Sequence, residues 1–274
     1  MQKQKAGSQL MRAALGFALG LVWLVPFYLM ISNSVKTKQE IFTNPLGIPE
    51  SFTWDNYPEA FTQLDFLKTL FNSLLITVVS VVVIVIFSSL CAYALERMQT
   101  KLSTFIFMVF VAAMLVPFQS VMIPLISLFG KAQMLNQAGI IFMYLGFGAS
   151  MSIFLYHGAL KSIPKALDEA AIIDGANRFQ VFWKVIFPML KPTTVTVVVL
   201  NTMWIWNDYL LPSLVINSPS TQTIPLKMFF FFGQYTKQWH LALAGLVIAV
   251  LPVIIFYFVM QKQIIKGVAD GAVK

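Results

Sequence analysis

The chain has 274 residues, of which 58% are hydrophobic and 11% charged, with a formal net charge of +8 at pH 7. Soluble domains carry roughly 45–50% apolar and about 25% charged residues, so this composition excludes a soluble globule and indicates a polytopic membrane protein. The same composition excludes a disordered chain. It also excludes a nucleic-acid-binding surface, because such a surface needs a basic face exposed to water. A disulfide scaffold is excluded because the chain has one cysteine.

Six apolar stretches are long enough to cross a bilayer, whose hydrocarbon core of about 30 Å requires roughly 20 apolar residues in a helix. In chain order they lie near residues 13–31, 70–94, 104–129, 139–156, 193–211 and 241–260. The predicted fold class is therefore all-α, a polytopic membrane protein with six transmembrane helices in a single domain over residues 1–274.

Lys and Arg residues are distributed unevenly between the two sides that these spans define. One side has the N-terminus, the loop near Arg97, the loop 157–191 and the C-terminal tail, and it holds 13 of the 19 Lys and Arg residues. The positive-inside rule therefore predicts that both termini are cytoplasmic. The basic net charge is a topology signal under this interpretation, and it requires no acidic partner.

The segment 32–65, between the first two spans, contains Pro45, Pro49 and Pro58. Proline at this density predicts an extended path with at most a short helix. The simplest interpretation of the segment is a structural cap over the outer face.

The third stretch contains Pro117 and Pro124, which predict a kink that opens backbone carbonyls to the interior. Gln119 lies between these prolines and is a weakly supported candidate for lining a pathway.

The cytoplasmic loop 157–191 predicts a first short helix that begins near Pro164, since proline is tolerated in the first helical turn. Asp168 and Glu169 then lie in the early turns, where the helix dipole favours negative charge. Gly175 is a candidate helix stop, because glycine adopts the left-handed conformation without strain.

A second helix is predicted after this stop. Asn177 and Gln180 form a variant of the capping box at its start, and Pro188 is expected to end it. Its apolar face is predicted to consist of Phe179, Phe182, Trp183 and Ile186. Spacing alone favours a loop that packs against its own protein over a loop that docks on a partner.

The fifth stretch contains the polar residues Asn201, Asn207 and Asp208, which, with Gln119, are the candidates for lining a substrate pathway. A carboxylate inside a membrane marks a functional site by default, but Asp208 is near the outer end of its span. A functional role and a simple contact with interfacial water are therefore given equal weight for Asp208. For Asn201, a hydrogen bond to a neighbouring helix is favoured over a pathway role.

Residues 169–175 read Glu-Ala-Ala-Ile-Ile-Asp-Gly, and nine residues later follows Val185-Ile186-Phe187-Pro188. This resembles the loop signature of ABC-importer membrane subunits, in which E-A-A, three residues and G are followed after nine residues by I-x-L-P. Val185 and Phe187 are conservative replacements in that pattern. Three further segments resemble the carbohydrate branch of this family, and within that branch the second membrane subunit of maltose-type importers. These segments are 163–168, 206–212 and 267–274.

The resemblance implies a type I ABC importer permease fold in a prokaryotic plasma membrane. The chain would form half of the pathway for a sugar or oligosaccharide, next to a second, different permease subunit and surrounded by membrane lipid. It would work with an extracytoplasmic sugar-binding protein and two ATPase subunits, which would bind ATP and Mg. The chain itself would bind no cofactor and would not be an enzyme. The residues implied to dock on the ATPase are Glu169, Ala170, Ala171, Asp174 and Gly175.

Three alternatives have their own sequence requirements. A permease for an anionic solute such as glycerol phosphate calls for Arg or Lys in the pathway, and the six stretches contain none. A stand-alone secondary transporter predicts buried ionisable residues and inverted repeats, and the sequence shows almost no such residues and no repeat. An intramembrane enzyme needs a nucleophile paired with a base, or a metal cluster, and neither pattern is present in the spans.

Overall fold

A computed structural model describes the backbone of residues 2–233 and 237–272, and the side chains of residues 11–233 and 237–261. The part of the tail resemblance at residues 273–274 lies outside the described residues. The helices are α1 (Gln2–Ser34), α2 (Lys38–Thr43), α3 (Asn56–Gln63), α4 (Phe66–Met98), α5 (Lys101–Ala113), α6 (Phe118–Lys131), α7 (Gln137–Leu160), α8 (Ala166–Ile173), α9 (Arg178–Met189), α10 (Lys191–Asn207), α11 (Leu210–Val215), α12 (Ile224–Met228) and α13 (Trp239–Ala272). Short 3₁₀ turns occupy Pro219–Thr221 and Phe229–Phe231.

Four of these helices are long and apolar enough to cross a membrane, namely α4, α7, Met11–Ser34 of α1 and Trp239–Gln261 of α13. Two bent pairs of helices, α5 with α6 and α9 with α10, are also long and apolar enough to cross a membrane when each pair is counted as one span. The described residues therefore contain up to six spans. These residues form no strand. The all-α fold class is confirmed, whereas the single domain over residues 1–274 stays a prediction.

The third predicted span consists of two helices, because α5 and α6 meet at an angle of 104°. Pro117 is the N-cap of α6 and has an extended backbone, which ends the α-helical path at this point. The N–H groups of Met114, Leu115 and Val116 donate to carbonyls three residues earlier, so the break leaves these groups paired. The expected kink is present as a full break, and Pro124 lies inside α6.

The fifth predicted span is shorter at its end than expected. Its helix α10 ends at Asn207, because the backbone of Asp208 is extended and its side chain bonds to the start of α11. The angle between α9 and α10 is 77°.

The described residues up to Phe66, together with Lys227–Ile254, form one compact unit. In it the proline-rich segment holds two short helices, α2 and α3, where at most one was expected. Hydrogen bonds from two buried side chains fix this segment: Lys36 Nζ donates to the carbonyls of Asn44 and Gly47, both at 2.7 Å, and Asn56 Nδ2 donates to the carbonyls of Ser34 and Lys36. Polar contacts with the backbone therefore replace the regular helix that proline prevents.

The second unit contains Leu67–Leu226 and the chain from Ile255 onward. Its core includes the fully buried side chains of Ile84 in α4 and of Tyr144, Ile153 and Tyr156 in α7. At Gly148 of α7, a Cβ atom would lie 2.6 Å from Ile84 Cδ1 and 2.7 Å from Asn201 Oδ1. The absence of a side chain at this glycine thus lets α4, α7 and α10 approach closely.

Candidate functional site

Helix α8 carries most of the residues that the signature singles out. Glu169 and Ala170 are exposed, Ala171 is half-buried, and the apolar side chains of Ile172 and Ile173 are 50% and 85% exposed. Apolar side chains at such exposure on one short helix are typical of a surface that another protein covers. The helix combines this apolar surface with the negative charge of Glu169.

The end of α8 is a tight and fully bonded turn. The N–H of Gly175 donates to the carbonyl of Ile172, and the N–H of Ala176 donates to the carbonyl of Ala171, which is the bonding pattern of a Schellman motif. Gly175 has φ +86°, and Asp174 is the C-cap residue. The Asp174 side chain is therefore presented at a fixed place, and the prediction that Gly175 stops the helix is confirmed.

Helix α9 begins with the predicted capping box. Asn177 Oδ1 accepts from the N–H of Gln180 at 2.9 Å, and Gln180 Oε1 accepts from the N–H of Asn177 at 2.9 Å. The middle of the helix, Val181–Ile186, has π-helical bonding, a rare form that is frequently found at functional sites. Helix α9 ends at Met189, one residue after Pro188, so the end predicted at this proline agrees with the structure to within one residue.

The rings of α9 form one aromatic cluster. Phe182 lies 4.9 Å from Trp183, and Trp183 lies 4.9 Å from Phe187, measured between ring centroids. Phe182 also contacts Tyr93 of α4 at 5.2 Å. Phe179, which is also predicted to belong to the apolar face, meets Trp183 edge-on with the ring centroids 6.1 Å apart, but its side chain is 68% exposed.

Asp168 of α8 is bonded to the C-terminal end of α4, a contact that sequence analysis missed. Its Oδ1 accepts from Tyr93 Oη at 2.6 Å and from Arg97 Nε at 3.3 Å. Its Oδ2 lies 2.9 Å from Arg97 Nη2, and this contact is an ion pair without the alignment of a hydrogen bond. Arg97 also donates to the carbonyl of Ile163. The sequence offers only the opposite charges of Arg97 and Asp168 as a signal for this contact, and the two residues are 71 positions apart.

A second polar contact lies beside the first. His157 Nε2 at the end of α7 is 3.3 Å from Glu96 Oε2, and both side chains are almost buried. The ring of His157 also stacks on Phe107 of α5, with the centroids 4.0 Å apart. The end of α4 is therefore held against α5, α7 and α8 together.

The four pathway candidates are not joined to one another by any hydrogen bond among the described residues. Asn201 is buried, and its Nδ2 donates to Ser152 Oγ of α7 at 3.1 Å and to the carbonyl of Val197 at 2.8 Å. The expected hydrogen bond between helices is confirmed. Gln119, in the first turn of α6, is exposed.

Asn207 and Asp208 differ although they are adjacent. Asn207 is exposed and donates to the carbonyl of Met203 in its own helix. Asp208 Oδ2 accepts from Tyr144 Oη at 2.9 Å, and its Oδ1 accepts from the N–H of Leu210 at 2.9 Å. Asp208 lies just beyond α10, where burial raises the pKa of its carboxyl while these hydrogen bonds act in the opposite direction. Its geometry is that of a helix cap and an anchor for a buried tyrosine.

A recess of about 300 Å³ lies beside the start of α7, at the opposite end of this helix from α8. It is lined by uncharged residues, the polar ones being Asn136, Gln137, Asn217, Ser218 and Thr221. Amide and hydroxyl groups of this kind exchange hydrogen bonds with hydroxylated ligands. Within the described part of the chain, no group of three or more His, Cys, Asp or Glu side chains could hold a metal ion.

Comparison with known proteins adds a family match over residues 84–270, to the model described as the binding-protein-dependent transport system inner membrane component. A probable starch degradation products transport system permease protein of Thermoanaerobacterium thermosulfurigenes is 56% identical over 260 residues, which cover 95% of each chain. A multiple sugar-binding transport system permease protein of Streptococcus mutans is 35% identical over 93% of each chain. Among solved structures, a bacterial ABC transporter involved in the import of the acidic polysaccharide alginate matches with a TM-score of 0.77 and 25% identity, over 93% of this chain and 95% of that one.

Proposed function

Because the chain belongs to the family of binding-protein-dependent transport system inner membrane components, we propose that it forms half of the translocation pathway of an oligosaccharide importer. The chain is an integral membrane protein and an ABC-transporter permease. ATP hydrolysis takes place on partner subunits in this proposal, and no chemical step occurs on the chain itself.

The surface of α8 is the observation that carries the proposal. Its exposed apolar pair, Ile172 and Ile173, and its exposed Glu169 form a small convex surface that fits a cleft in an ATPase subunit. The Schellman turn at Gly175 and the aromatic cluster of α9, which follow α8 in the chain, hold this helix in place. A helix held in this way moves with the cleft when ATP closes the ATPase subunits.

The composition of the complex follows from this docking. ATP is cytoplasmic, so α8 faces the cytoplasm, and an even number of spans places both termini on that side. Two ATPase subunits present two clefts, and the second is filled by the docking helix of a second permease subunit. A sugar-binding protein delivers the solute from the opposite side. ATP and Mg are bound by the ATPase subunits.

The solute class in this proposal is a neutral oligosaccharide of the kind that starch degradation yields. The support is the 56% identity to a permease named for starch degradation products, over nearly the whole length of both chains. The uncharged polar lining of the recess beside Gln137 agrees with a hydroxylated neutral solute. An anionic solute such as glycerol phosphate calls for cationic side chains, which this recess does not have.

A pull-down tests the docking helix. The tagged chain, extracted in mild detergent, is expected to recover a second permease subunit and an ATPase subunit, which mass spectrometry identifies. Glu169→Lys reverses the charge on the docking surface, so it should retain the permease partner and lose the ATPase. Glu50→Lys makes the same charge change on an exposed residue of the segment between α2 and α3, and it should retain both partners. An ATPase that stays bound to Glu169→Lys would refute the docking role.

The solute class is tested on the binding protein of the same transport system. Its ligand is expected among short malto-oligosaccharides, with glycerol phosphate as the competing solute. Binding of glycerol phosphate and no binding of any oligosaccharide would contradict the proposed solute class.

A further inference from the structure

The last turns of α4 present three polar side chains on one face. Tyr93, Glu96 and Arg97 stand at positions i, i+3 and i+4, so they are neighbours on the helix surface. Tyr93 and Arg97 contact Asp168 of α8, and Glu96 contacts His157 of α7. This face therefore connects α4 to the helix that docks on the ATPase and to the core of the second unit.

Five polar contacts, largely shielded from solvent, connect the end of α4 to Asp168 of α8 and to Ile163 just before it. Asp168 and Arg97 have side chains that are 12% and 14% exposed. Both carboxylate oxygens of Asp168 are engaged by α4, and the Arg97 guanidinium reaches at the same time to the carbonyl of Ile163, just before α8. The contact thus holds α8 and the chain that leads into it. Charge-assisted hydrogen bonds of this kind are stronger and more directional than neutral ones.

We propose that Arg97, Tyr93 and Asp168 are positioning residues that carry the displacement of α8 into α4 during the transport cycle. This inference rests on the proposed docking of α8 on the ATPase. Because a buried ion pair that loses one member leaves an uncompensated charge, α8 and the end of α4 resist separation and move as one body. The aromatic cluster of α9 gives a second connection, through Phe182 and Tyr93.

The displacement of α4 reaches the rest of the unit through the contacts between α4 and α7. Glu96 and His157 tie its end to α7, and Ile84 lies against Gly148 in the middle of α7. Packed interfaces of this kind switch between discrete arrangements, because close-packed side chains do not deform continuously. A shift that begins at α8 is therefore passed to both α4 and α7, whose helices form the core of the unit.

The coupling ratio, measured as solute transported per ATP hydrolysed in the reconstituted complex, tests this role. Arg97→Ala should leave the recovery of ATPase and partner permease unchanged and lower the ratio at least tenfold, since the ATPase still moves α8 but α4 no longer follows. The control is Lys101→Ala, which removes an exposed cation four residues further on and should keep the normal ratio. A normal ratio in Arg97→Ala would overturn the proposal.

A cross-link between α4 and α8 tests the same role if the Arg97→Ala chain does not assemble with its partner subunits. In a Cys91→Ser background, Arg97→Cys and Asp168→Cys are combined and then bridged by a short bis-thiosulfonate reagent. The unbridged pair should be uncoupled, bridging should restore at least half of the normal ratio, and reductant should reverse the recovery. A bridged complex that stays uncoupled would overturn the proposal. Retention of the ATPase by Glu169→Lys would instead refute the docking on which the proposal rests.

Discussion

Asp208, just beyond the end of α10, offers the sharpest test of how this structure assigns roles to the polar residues of the fifth predicted span. Asp208→Ala removes the acceptor of the Tyr144 hydroxyl, which belongs to a fully buried side chain, and the acceptor at the start of α11. An unpaired buried hydroxyl costs about 1–3 kcal/mol. Loss of a helix cap costs about 1 kcal/mol. The expected loss in the free energy of unfolding is thus about 2–4 kcal/mol.

Asp208→Asn should behave differently. The amide keeps one oxygen that accepts from the N–H of Leu210, and its NH₂ group donates to the Tyr144 oxygen, so both partners stay bonded. We expect a loss of about 1 kcal/mol or less and nearly normal transport. Asn207→Ala is the control, since that exposed side chain bonds only to its own helix, and it should change stability by less than about 0.5 kcal/mol.

The assay is the temperature at which the detergent-solubilised protein loses its monodisperse peak in size-exclusion chromatography. At about 2 °C per kcal/mol, Asp208→Ala should lower this temperature by roughly 4–8 °C. In a Tyr144→Phe background, where the hydroxyl is already gone, the same substitution should cost about 1–3 kcal/mol less. The reasoning is refuted if Asp208→Asn keeps wild-type stability and assembly but loses transport, since the negative charge itself would then be required.

Two glycine substitutions give further predictions. Gly175→Val should reduce stability by about 1–2 kcal/mol and reduce uptake, because φ is +86° at this position and a branched side chain is strained there. Gly175→Asn should have a milder effect. Equal behaviour of the two variants in thermal and uptake assays would contradict this prediction. Gly148→Ala should cost about 1–3 kcal/mol through contact with Ile84 and Asn201, and Ile84→Val should recover part of this loss. Its control is Gly146→Ala, where the new Cβ meets no atom within 4 Å, and a thermal shift as large as that of Gly148→Ala would contradict the packing argument.

Local rules explain why the turn and the helix start in the loop 157–191 could be predicted from the sequence. The stop at Gly175 and the capping box of Asn177 with Gln180 involve residues within a few positions of each other, and the structure confirms both. The side-chain chemistry of such motifs fixes the backbone without reference to the rest of the fold. The π-helical stretch Val181–Ile186 has no comparable signature, and it was missed.

Contacts between distant residues could not be predicted in the same way. Arg97 was counted only as a topology charge and Asp168 only as a helix-dipole charge, because nothing local pairs residues 71 positions apart. Pro117 indicated a kink, but the angle of 104° depends on the packing of α5 and α6. For Asn201 the favoured hydrogen bond to a neighbouring helix is present, although its partner Ser152 was not predictable from the sequence.

Transport by the reconstituted complex tests the central claim most directly. The chain is placed in vesicles with its permease and ATPase partners, with ATP on the ATPase side and the binding protein and labelled malto-oligosaccharide on the other side. The account predicts accumulation that requires both ATP hydrolysis and the binding protein, and that falls to background in Glu169→Lys. Accumulation without ATP, in vesicles that contain this chain alone, would contradict it.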